Sequence, residues 1–120
     1  MESRRETELA AAVDDVWECV TDPALLSTWL DGDLDVDGDV VEPGAAATFT
    51  DADGTVRHVL VDDVDPGRRT LAWTWWTDDE SEPPSSVAIT LEPLPASVRV
   101  VVVERQLVVA GPVPRAMAMA

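Results

Sequence analysis

Between Asp31 and Leu107 the chain is cut by turn-forming residues into short apolar-rich runs, and this rhythm limits its fold more than any other feature. The cuts fall at Glu42-Pro43-Gly44, Asp53-Gly54, Asp65-Pro66-Gly67, the polar run Asp78 to Ser85, and Pro93 to Ala96. Pro presets one turn dihedral, Gly accepts positive φ, and Asp bonds its own backbone, so each cluster has a mechanism for reversing the chain. The runs they separate are candidate strands: Leu34 to Val41, Ala45 to Thr50, Val56 to Asp62, Thr70 to Thr77, Ser86 to Leu91 and Val98 to Leu107. Strands at this spacing with short connections predict an antiparallel meander.

Side chains alternate across a strand, so residue order also predicts the faces. Leu71, Trp73 and Trp75 share one face, as do Val87, Ile89 and Leu91, and Val98, Val100 and Val102. The opposite sides carry Ala72, Thr74, Trp76, Arg99, Val101 and Val103, giving one strongly apolar face and one mixed face. Such a sheet needs a helical cover, and the chain offers little after Leu107. Ahead of the meander, Arg4 to Leu9 reads as a short charged strand. A helix follows, with Asp15 and Glu18 spaced as a capping box and Val13, Val16, Trp17 and Val20 on one face. Asp22 is a good N-cap and Pro23 suits a first helical position, so a second short helix begins there, with Leu25, Leu26, Trp29 and Leu30 along one side.

Seven stretches in register make the order of elements specific: Val16-Trp17-Glu18, Thr21-Asp22-Pro23, Trp29-Leu30, Glu42-Pro43-Gly44, Asp53-Gly54, Val64-Asp65-Pro66 and Leu71-Ala72-Trp73-Thr74-Trp75. The run Val98 to Glu104 has the look of the last strand of the same pattern. Together they resemble the SRPBCC (START, birch-pollen-allergen-like) superfamily, and within it the heat-shock-protein-90 ATPase activator homologue group. The resemblance implies an α+β helix-grip fold, with an antiparallel meander wrapped around helices and a cavity for an apolar ligand. It also implies a long closing helix. Here only Gly111 to Ala120 is on offer, too short to span a sheet because nine helical residues rise about 14 Å. Truncation, capping by another protomer, and an open working groove are three ways to account for that. The whole chain, 1–120, is expected to be one such domain.

Chemistry is sparse. One His, one Cys and no Tyr leave little for nucleophilic catalysis. Cys19, between Trp17 and Val20, is expected to be a buried small hydrophobe, and His58 shares its face with Val56 and Leu60. Asp33-Leu34-Asp35-Val36-Asp37-Gly38-Asp39-Val40 imitates the start of a calcium loop, but its twelfth position is Gly44 rather than Glu, so it reads as an acidic connecting loop. No catalytic set, metal site or cofactor motif is assigned. A net charge of −16, from 24 acids against 8 arginines, repels phosphate backbones and anionic lipid, which argues against nucleic-acid and membrane partners. The lone Cys, and the want of a secretory or membrane-spanning apolar run, point to the cytoplasm.

The expected function is therefore a small binding module that holds an apolar small molecule between sheet and helices. Its candidate lining is Trp29, His58, Val59, Trp73, Trp75, Ile89 and Val100. The alternative is a co-chaperone-like protein-interaction module that uses an exposed apolar sheet face, with a homodimer or another protein covering the sheet. An enzyme is the third reading, disfavoured by the poverty of His, Cys and Tyr.

Overall fold

The turn clusters and strand runs order themselves into one sheet in the computed structural model, which describes residues 2–38, 40–79 and 81–107. In chain order the elements are β1 (Glu2–Leu9), α1 (Val13–Thr21), α2 (Pro23–Leu30), β2 (Gly32–Val36), β3 (Ala46–Asp51), β4 (Val56–Asp65), β5 (Thr70–Trp76), β6 (Ser85–Pro93) and β7 (Val98–Gln106). Strands β2 to β7 meander, and β1 joins the β7 edge, giving the antiparallel order β1-β7-β6-β5-β4-β3-β2. Because β1 and β2 occupy opposite edges, the helix pair between them has to cross the sheet, and it does so over the apolar face. This is the α+β helix-grip architecture. The abbreviated helix expected at Gly111 to Ala120 lies outside the described residues.

The two helices are held by different means. Helix α1 starts at Val13 with Ala12 as N-cap and no side-chain cap, so Asp15 sits inside the first turn rather than capping it. Its carboxylate neighbours still suit the positive end of the helix. Val16 and Val20 bury against the sheet, while Cys19 falls on the other side of the helix and is exposed, contrary to expectation. Asp14 pairs with Arg69 of the β4–β5 turn, tying α1 to that end of the sheet. Helix α2 begins as predicted: the Asp22 carboxylate accepts the N–H groups of Ala24 at 2.9 Å and Leu25 at 3.3 Å, with Pro23 in the first turn. It ends at Asp31, whose φ of 58° lies in the left-handed region that Asp tolerates. Only Leu26 of α2 is fully buried. The Ser27 hydroxyl accepts the Leu34 N–H at 2.8 Å, clamping α2 to β2.

Register fixes which side chains face the helices. Inward residues include Val36 and Ala47, Phe49 and Arg57, Val59 and Trp75, Val61 and Trp73, Leu71 and Ile89, and Leu91 and Val100. The core consists of these apolar side chains with Val16, Val20, Val41, Val87 and Val98. A bulge in β4 between Val61 and Asp63 inserts one residue. Without it, strict alternation would turn Asp63 inward and Val64 outward; with it, Asp62 and Asp63 both stay exposed and Val64 packs on the core. Asp62 accepts a bond from the Thr74 hydroxyl at 2.7 Å. Strand β2 stops at Val36, earlier than the sequence suggests, because Asp37 and Gly38 turn, with Gly38 at a φ of 83°.

Candidate functional site

The inner face of the sheet has two unequal parts. Beneath α2, Leu26 and Leu30 close over Leu34, Phe49, Val59 and Trp73, leaving an all-apolar cavity of about 20 Å³. That is room for roughly one water molecule, whereas small-molecule sites run to roughly 300–1,000 Å³. The predicted interior is thus a packed core.

Past Trp75 the face opens. A groove of about 500 Å³ is lined by Arg57, Ser85, Glu104 and Gln106 from the sheet, Ser3 from β1, and the Ser81–Pro83 segment of the β5–β6 connection. Trp75 stands between the two spaces. Its ring packs on Phe49 (centroids 5.8 Å apart) and edge-on to Trp73 (5.7 Å), continuing the aromatic surface of the closed cavity. Its indole N–H donates to Glu104 Oε2 at 3.0 Å, and the Arg57 guanidinium lies 4.8 Å from its ring centroid. Arg57 and Glu104 were missed in the sequence, although the period of two carried the signal. Arg57 precedes Val59 by two residues and Glu104 follows Val102 by two, so each shares its neighbour's inward face.

Of the residues expected to line a site, Val59, Trp73, Trp75, Ile89 and Val100 all face inward. Ile89 is 0% exposed and Val100 is buried, so they back the inner face rather than line free space. The other two lie elsewhere. His58 neighbours Val59 on one strand and must point the other way; it packs on Trp76 at 5.9 Å and its Nε2 lies 2.8 Å from Asp78 Oδ1 on the outer face. Trp29 is 44% exposed, because α2 meets the sheet through Leu26 and Leu30 and turns Trp29 away. Asp33 and Asp35 sit in β2 as alternating exposed residues, a geometry that does not wrap a cation. Outside, Val56, Leu60 and Trp76 are exposed around His58.

Two loop carboxylates at the open end are strongly hydrogen-bonded. The Thr55 backbone N–H, followed by its hydroxyl, holds Asp53 below the ordinary carboxylate range, and the Ser81 hydroxyl and N–H do the same for Asp79. No helix among the described residues is long and apolar enough to cross a membrane.

The sequence profile of the family described as activator of Hsp90 ATPase homolog 1-like protein matches residues 10–119. No curated protein matches the chain. Among solved structures, DynU16, a protein of the dynemicin biosynthetic locus, superposes with a TM-score of 0.70 at 26% identity over 98% of this chain, which spans 40% of the DynU16 length. MLL2253 from Mesorhizobium loti superposes at 0.76 with 22% identity, over 90% of this chain and 78% of its own. CalU16 from Micromonospora echinospora superposes at 0.68 with 20% identity, over 89% of this chain and 61% of its own.

Proposed function

The chain belongs to the activator of Hsp90 ATPase homolog 1-like family of the SRPBCC superfamily, and from that premise we propose that it is a small binding module holding a small organic molecule against the inner face of its sheet. One observation carries this reading: beyond the packed core the inner face opens into a groove of about 500 Å³, and two of its lining side chains, Arg57 and Glu104, contact Trp75, the last ring of the aromatic cluster with Phe49 and Trp73. Trp75, partly exposed at the junction, is the residue on which an apolar body would rest, with Trp73 and Val59 behind it. The place of DynU16 in a biosynthetic locus accords with a fold that handles small organic molecules. A cytoplasmic setting suits the exposed thiol of Cys19.

A neutral fluorescent probe, N-phenyl-1-naphthylamine, tests the reading. Saturable binding at one molecule per chain is expected, lost in Trp75→Ala and kept in Trp29→Ala. Failure of the probe and of its neutral analogues to bind saturably would defeat the proposal.

A second reading rests on the outer face, where Val56, Leu60 and Trp76 leave apolar surface exposed beside His58. Exposed apolar patches mark interaction surfaces, and the family description names an activator of a chaperone ATPase. Light scattering of the wild type and of Leu60→Glu separates self-association, which that substitution would abolish, from a monomer.

A further inference from the structure

Arginines in this chain ordinarily find carboxylates. Arg99 donates to Glu92 and Arg105 to Glu2, while Arg69 reaches Asp14 and the Pro66 carbonyl. Arg57 is different in where it stands. It is on the inner face, part-buried, and among the described residues it donates no hydrogen bond: the nearest carboxylate oxygen, Asp51 Oδ2, is 3.8 Å from Nη2, and Nε is buried with no partner. Nε is enclosed, as are Arg69 Nε and Trp73 Nε1, so the donors left for a ligand acceptor are those at the Nη nitrogens, which no carboxylate among the described residues approaches closer than 3.8 Å. The guanidinium is nonetheless held in position, stacked over Trp75, whose N–H is in turn fixed by Glu104. The result is an oriented planar fork of donors at the wall of a groove of about 500 Å³.

We propose that Arg57 receives the carboxylate of the bound molecule, so that the groove takes a small, flat, singly charged acid. This rests on the binding-module reading above and adds the ligand's chemical class. The planar fork matches a carboxylate bidentately. Glu82 and Glu104 line the same groove and oppose a second negative charge, which favours a carboxylate over a phosphate monoester. The ligand's ring lies in the groove beside Arg57, whose guanidinium is stacked on the partly exposed Trp75.

Three ligands with one ring system decide the matter: 2-naphthoate, 2-naphthylmethanol and 2-naphthylmethylammonium, titrated calorimetrically into the whole chain at pH 7 and low salt. A net charge of −16 makes the ammonium the default favourite. The expected order is the reverse, with the acid binding about tenfold or more tighter than the ammonium. Arg57→Gln should cost the acid about tenfold more than it costs the alcohol. Asp51→Asn, which leaves Arg57 intact, should tighten the acid severalfold, and it keeps the test alive if Arg57→Gln does not fold. Ammonium preferred over acid in the wild type, or acid affinity indifferent to both substitutions, overturns the proposal. If the alcohol still binds in that case, the broader binding-module reading stands; if none of the three binds, both fall.

Discussion

The covered and the open parts of the inner face are built on the same strands yet obey different constraints. Under the helices, Leu71, Ile89, Val98 and Val100 are each 2% exposed or less, and the space left is no larger than a water molecule. A few residues along the same strands, Ser85, Glu104, Gln106 and Arg57 surround a groove some twenty-five times larger by volume. Folding energy is concentrated where apolar surface is removed from water on both sides. Chemistry is concentrated where the cover ends and side chains such as Arg57 and Glu104 are held by Trp75 but not enclosed. If the proposed binding holds, one strand serves stability at one end and recognition at the other.

The largest effect should come from Ile89→Ala in the covered part, at about 2–5 kcal/mol of unfolding free energy in urea titration, since the residue is wholly enclosed. Its counterpart Ser85→Ala, four residues away at the groove, should stay within about 0.5 kcal/mol. Equal costs at the two sites would erase the distinction. Next, Gly32→Ala strikes the seam where α2 delivers the chain to β2. A Cβ there would collide with the Phe49 ring and come within 2.6 Å of the Thr50 carbonyl oxygen, so a loss of about 1–3 kcal/mol is expected by the same titration. Asp22→Ala removes the cap that places α2 and should lower stability by about 1 kcal/mol, read as a drop in Tm. The smallest effect belongs to the open end. Asp53 and Asp79 have depressed folded-state pKa values, so the stability they contribute is present above the unfolded carboxylate range and lost as pH falls through the lower folded values. Amide NMR signals of Thr55 and Ser81 should titrate with midpoints below the ordinary aspartate range; midpoints at or above it would show that these turns are not so organised.

Alternation made the sheet legible. Leu71, Trp73, Val87, Ile89, Val98 and Val100 are all predicted to share a face, and all do so. Turn clusters placed every hairpin, and Asp22-Pro23 placed the helix break. Features that depend on tertiary contact were less visible. The bulge at Val61/Asp63 adds a residue that no local propensity announces, so the predicted strand stops at Asp62 while β4 runs on to Asp65. The apolar stripe of α2 is wider than the surface it meets, leaving Leu25 and Trp29 exposed though their spacing fits a buried face. His58 and Val59 cannot both face one cavity, because consecutive strand residues point to opposite sides. Arg57 and Glu104 were readable by the same rule, but a search weighted towards His, Cys and apolar residues passes over charged ones on an inward face.

Pairing of β1 with β7 has a consequence for how the chain is made. Glu2 sits opposite Arg105 and Leu9 opposite Val98, so among the described residues β1 finds its sheet partner about a hundred residues downstream. On the ribosome, the β2–β6 hairpins can zip one after another as they emerge, while β1 waits for β7. Closing so distant a contact is slow compared with forming neighbouring hairpins. The edge of β6 stays open to stray strands throughout that interval, and the charged residues of β1 (Glu2, Arg4, Arg5, Glu6 and Glu8) help keep the waiting segment dissolved until the seam can close.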